Sequence, residues 1–100
     1  MAKADYAEFG TWLREERMKK GFTQLEVANV LGYTNAQFVS NAERGLCRLP
    51  FEAISKLVKL YGLNPETVID HLVRQHYEYY REVFKKDLAA AKRGKKAKSR

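Results

Sequence analysis

Residues 13–45 read LREERMKKGFTQLEVANVLGYTNAQFVSNAERG, three runs of helical spacing separated by Gly21 and by a short turn after Gly32. Thr23 and Glu26 have the spacing of a capping box ahead of Val27, Ala28 and Leu31, and Gly32 closes a two-turn helix expected at about residues 24–31. Upstream, Asp5 and Glu8 have the same spacing, and Phe9, Leu13 and Arg17 then fall on one stripe, predicting a first helix at about 6–20. Downstream, Thr34 and Gln37 offer a third box before Phe38, Val39 and Ala42, for a helix at about 35–44 that stops at Gly45. Pro50 suits the first position of a fourth helix with Ile54, Leu57, Val58 and Tyr61 on its apolar face, ending at Gly62. Asn64 and Pro65 open a fifth, carrying Val68, Ile69, Leu72 and Val73, with no breaker before Gly94. No run has the alternation of a strand, so the expected class is all-α with short connections.

The chain has 100 residues, 45% hydrophobic and 31% charged, enough for one small core and too few for a large enzyme fold. Its one cysteine, Cys47, rules out an internal disulfide. The segment MAKADYAEFG has no apolar signal region, and no apolar run nears the roughly 18 residues of a membrane span. These features predict a cytoplasmic protein without membrane contact. The net charge is +7, but residues 1–84 hold 11 Lys or Arg against 11 Asp or Glu, while residues 85–100 hold 8 against Asp87 alone. The excess therefore marks a basic end, which favours polyanions without locating a specific binding surface.

Two short helices joined by a tight turn, with small residues such as Ala28 and Gly32 where they approach, meet the physical requirement for major-groove recognition by a helix-turn-helix. Through LREERMKKGFTQLEVANVLGY and FVSNAERG the chain resembles the phage repressor and Cro family, of the xenobiotic response element type, over about residues 9–72. The resemblance implies a five-helix repressor-like DNA-binding domain, double-stranded DNA as partner, and the third helix lying in the groove. It also implies that Arg17 and Glu43 pair structurally between the first and third helices. The spacing from Gly32 to Glu43 is one residue longer than the commonest pattern of the family. Anchoring on Val39 and Glu43 puts Gln37 and Asn41 on the groove face, whereas anchoring on Gly32 would shift the readers to Asn35, Ala36 and Ser40. We take the first register because Val39 must pack.

Gln37 and Asn41 stand i, i+4, and their amides can donate and accept in the pattern adenine presents in the major groove. Ala36 and Ser40 lie near that face, suited to a thymine methyl, a base edge or a phosphate. Gln24, at a helix N-terminus, is a candidate phosphate contact, grouped with Thr23 and Asn35. Arg44 and Arg48 flank the loop after the third helix as cations for the DNA backbone.

No catalytic constellation assembles, and no cofactor or metal is expected. His71 and His76 are five apart, so they do not stack as a ligand pair, and Cys47 has no partner at zinc spacing. Residues 1–73 are expected to form the DNA-binding domain, 74–91 an extension of the fifth helix, and 92–100 a disordered basic tail. Tyr77, Tyr80 and Phe84 fall on one side of that extension, where they either cover the core, pair two chains as a homodimer, bind another protein that the chain regulates, or stack on nucleic acid.

Overall fold

The computed structural model describes the backbone of residues 3–94 and the side chains of residues 6–90. It contains five helices, α1 (Lys3–Lys20), α2 (Gln24–Leu31), α3 (Gln37–Glu43), α4 (Phe51–Tyr61) and α5 (Pro65–Gly94), and no strand among the described residues.

The all-α expectation holds among the described residues. Thr23 caps α2 as a full box: its hydroxyl accepts from the Glu26 N–H at 3.0 Å, and the Glu26 carboxylate accepts from the Thr23 N–H at 2.8 Å. The other two expected boxes do not open their helices. Helix α1 already runs from Lys3, so Asp5 lies inside it rather than at its start. Helix α3 begins at Gln37, its N-cap Ala36 makes no side-chain bond, and the Asn35 side-chain Oδ1, not Thr34, accepts the Gln37 N–H at 2.9 Å. In the longer turn the Tyr33 ring lies tilted against Phe38, 4.6 Å between ring centroids. Pro50 sits at the N-cap of α4, one position ahead of the expected place.

The core gathers Phe9 and Leu13 from α1, Val27 and Ala28 from α2, Val39 from α3, Ile54, Leu57 and Tyr61 from α4, and Val68 from α5. Val27 and Ala28 are fully covered, so α2 is pinned on two sides. Two glycines set how closely α3 can lie on α1. A Cβ on Gly10 would stand 2.4 Å from the Ala42 carbonyl oxygen, and one on Gly45 would stand 2.5 Å from the Cα of Ala7. Gly45 also has φ +77°, which disfavours any residue with a side chain.

Helix α5 packs on the body through Val68, Leu72 and Gln75 and then continues outward, giving the molecule extents of 56 × 28 × 19 Å. Residues 92–94 are its last turn rather than part of a disordered tail, and residues 95–100 of that expected tail lie outside the described residues. No described helix is long and apolar enough to cross a membrane.

Candidate nucleic-acid interface

The end of α1 is tied to the end of α3 by a buried charge cluster. Arg17 donates through Nε to Glu43 Oε2 at 2.7 Å and through Nη2 to Oε1 at 3.0 Å, while Nη1 reaches the Phe22 carbonyl at 2.8 Å. The Gln24 amide adds a fourth donor, Nε2 to Glu43 Oε1 at 2.9 Å. The hydrogen bond to Glu43 raises the Arg17 pKa above its ordinary value against the desolvation that would lower it. Burial, with Glu43 nearby, likewise holds the Tyr61 hydroxyl protonated far above its usual range. The pairing neutralises the Glu43 carboxylate with the Arg17 guanidinium.

Beside this cluster, and lined in part by Glu43, a shallow trough follows α3. Gln24 and Ser40 lie along its middle, Asn35, Ala36 and Gln37 line one end, and Thr11, Arg14 and Arg44 the other. Gln37 is exposed and Asn41 half-exposed, and they are linked by the Gln37 Nε2 donating to Asn41 Oδ1 at 2.9 Å. Arg44 Nη2 donates to the same oxygen at 2.8 Å. The surface of α3 therefore carries a connected polar row, Gln37, Asn41 and Arg44, one and two turns apart. Its opposite side is apolar, with Val39 and Ala42 buried and Phe38 half-buried.

The trough brings together Gln24, Asn35, Ala36, Gln37, Ser40 and Arg44 from the sequence-derived set. Gln24 is half-buried, and part of its amide is committed to Glu43. Thr23 is exposed, its hydroxyl oxygen serving the cap of α2. Arg48 points elsewhere: it meets His76 Nε2 at 3.2 Å and stands 6.0 Å over the Tyr6 ring, between α1 and α5. Thr11 and Arg14 join the surface with no motif to mark them, although Arg14 lies i−3 from Arg17 and so on the neighbouring helical strip. His71 and His76 are separated by their contacts, the first stacked on Trp12 at 4.7 Å and the second beside Arg48.

A two-turn helix exposed along a polar row, braced from behind by a second short helix and bounded by arginines, defines a helix-turn-helix DNA-binding module. A family model described as a helix-turn-helix domain matches residues 8–72, and the chain belongs to that family. This agrees with the repressor and Cro-like character of its sequence. No curated protein and no solved structure matched the chain.

Proposed function

We propose that the protein is a sequence-specific, double-stranded DNA-binding regulator of transcription that places α3 in the major groove. The observation that carries this reading is the exposed row Gln37, Asn41 and Arg44, joined by hydrogen bonds of 2.9 and 2.8 Å on a helix whose other side is sealed in the core. In this reading Gln37 and Asn41 meet base edges. Asn41 Oδ1 already receives two donors, so residue 41 presents its NH₂ group outward, toward acceptors such as purine N7 or thymine O4. Gln37 keeps its carbonyl and one N–H for the neighbouring pair. Ala36 and Ser40 approach the same groove, a methyl against thymine and a hydroxyl against base or phosphate.

Phosphate contacts come from the walls of the trough. Arg44 and Arg14 supply charge, and Gln24, Thr23 and Asn35 supply neutral donors. Arg48 contributes only after leaving His76. Bound at a promoter, the protein would regulate by occluding or contacting polymerase, as a cytoplasmic binding protein and not an enzyme.

Selection of bound duplexes from a random pool at physiological salt tests the proposal. A defined motif should be enriched, and Gln37→Ala with Asn41→Ala should blur it. Recovery of duplexes with no common sequence would refute sequence-specific reading.

A further inference from the structure

Helix α5 extends past the body with two interleaved rows seven residues apart, Tyr77 and Phe84 in one, Val73, Tyr80 and Asp87 in the other. That spacing holds side chains on one side of a helix, and the two rows form the narrow seam that faces a second helix in a coiled coil. Leu88 lies beside it, and from Val73 to Leu88 the seam is about 24 Å long. Its five apolar residues are exposed, between 50% for Tyr80 and 65% for Leu88, so the aromatics do not cover their own core. Tyr80 and Phe84 stack at 6.1 Å between ring centroids, bordered by Arg81 and Lys85.

We propose that this seam takes an acidic amphipathic helix of a different protein. The positions flanking such a seam choose the partner through charge. On one flank stand Arg74, Arg81 and Leu88, on the other His76, Val83 and Ala90, and neither flank carries a carboxylate. Glu78 and Glu82 lie on the side turned away from the seam. Arg74 meets Glu8 at 3.4 Å, whereas Arg81 and Lys85 have no carboxylate within salt-bridge distance among the described residues. Residues 73–100 hold 10 Lys or Arg against Glu78, Glu82 and Asp87, net +7, while residues 1–72 hold 9 of each sign. The whole excess of positive charge therefore accompanies the seam.

A second copy does not supply what is missing. Set parallel, it would place His76 or Val83 opposite Arg81 and bring Asp87 against Asp87; set antiparallel, it would place an arginine or Leu88 opposite Arg81. Neither arrangement gives Arg81 a carboxylate. A foreign helix can bring glutamates along the edge that meets Arg81 and Lys85, aliphatic residues against Tyr77, Tyr80 and Phe84, and a Lys or Arg against Asp87, since a carboxylate closed into a seam must be paired. Asp87 then acts as the selective position, lowering affinity for any helix that cannot answer it. The inference rests on α5 alone and holds whether or not α3 reads DNA.

The test titrates the full chain into a labelled helical peptide of about three heptads, with Leu at its seam positions and Glu on both flanks, followed by fluorescence anisotropy. Binding is expected with a dissociation constant of about 1–100 µM, and the same peptide with Lys in place of Glu should bind at least about 10-fold more weakly. Arg81→Glu with Lys85→Glu should reverse that order, and Tyr80→Ser with Phe84→Ser should abolish binding of both peptides, helical circular dichroism being retained in each case. Asp87→Asn should tighten both complexes by about 3- to 10-fold, because a Leu seam leaves that carboxylate unpaired. A Glu-flanked peptide with Ser at its seam positions, which offers charge alone to the basic end, should not bind. Absence of binding, equal affinity for the Glu and Lys peptides or for the Ser-seam peptide, or affinities unmoved by the variants would overturn the proposal. So would a seam that takes only anionic vesicles or single-stranded DNA, or one that sedimentation shows closed by a second copy.

Discussion

The guanidinium of Arg17 and the carboxylate of Glu43 meet at two points, 2.7 and 3.0 Å, with both residues under 10% exposed. This pairing links the last turn of α1 to the last turn of α3, so the orientation of the polar row depends on it. Burial makes the arrangement costly to break on one side only, because the remaining partner keeps its charge without compensation.

Arg17→Met or Glu43→Gln should therefore lower stability by about 3–5 kcal/mol. Combining Arg17→Met with Glu43→Leu should recover much of that loss, since two apolar groups leave no stranded charge. Urea denaturation of the four proteins measures this; single variants costing less than about 1 kcal/mol would contradict a buried, coupled pair.

Gly10→Ala should destabilise by about 1–3 kcal/mol, as overpacking does, although alanine is the better helix former. The added methyl would stand 2.4 Å from the Ala42 carbonyl oxygen, backbone that cannot rotate away. Chemical denaturation reads the cost, and a stabilised variant would mean that α1 and α3 can separate freely.

At the proposed DNA surface, Gln37→Ala and Asn41→Ala should each cost about 1–3 kcal/mol on the preferred site and much less on unrelated sequence. Arg44→Ala should weaken binding to all duplexes and reduce the slope of log affinity against log salt. Uniform losses for the amide variants, measured by titration of preferred and scrambled duplexes, would remove them as base readers.

His71 provides a pH prediction. Burial lowers its pKa below the ordinary 6.5, and Arg74 pushes the same way against Glu8 and Asp70. The unfolded chain thus takes up a proton at higher pH than the folded one does. The site's contribution to stability is present above about pH 6.5 and is lost as pH falls through the lowered value. Thermal unfolding should therefore shift downward from about pH 7.5 to about 5.5, and less so in His71→Phe. An equal shift in that variant would assign the effect to other groups.

Most of the scaffold is legible from local pattern. Phe9, Leu13 and Arg17 announce the buried face of α1, and the Thr23–Glu26 box with Gly32 marks α2 to the residue, because those signals rest on contacts within one or two turns. The Asp5 and Thr34 boxes are equally plausible as patterns but do not open their helices: α1 begins at Lys3, and Asn35 Oδ1 takes the Gln37 N–H. Space at Gly10, the turning of Gln24 toward Glu43 and of Arg48 toward His76 are set by neighbours 28 or more residues away in two cases and 19 in the third. Spacing along a chain does not report such encounters. The outward direction of Gln37 and Asn41 is legible only through Val39, whose need to be covered fixes the rotation of the helix.

Helix α3 is seven residues long, too short to persist in water without its neighbours. Its shape is borrowed from α1 and α2 and exists before any ligand arrives. Association with a duplex should then be the docking of a finished surface, with a small heat-capacity change that scales with the area covered and carries no share from a segment folding at contact.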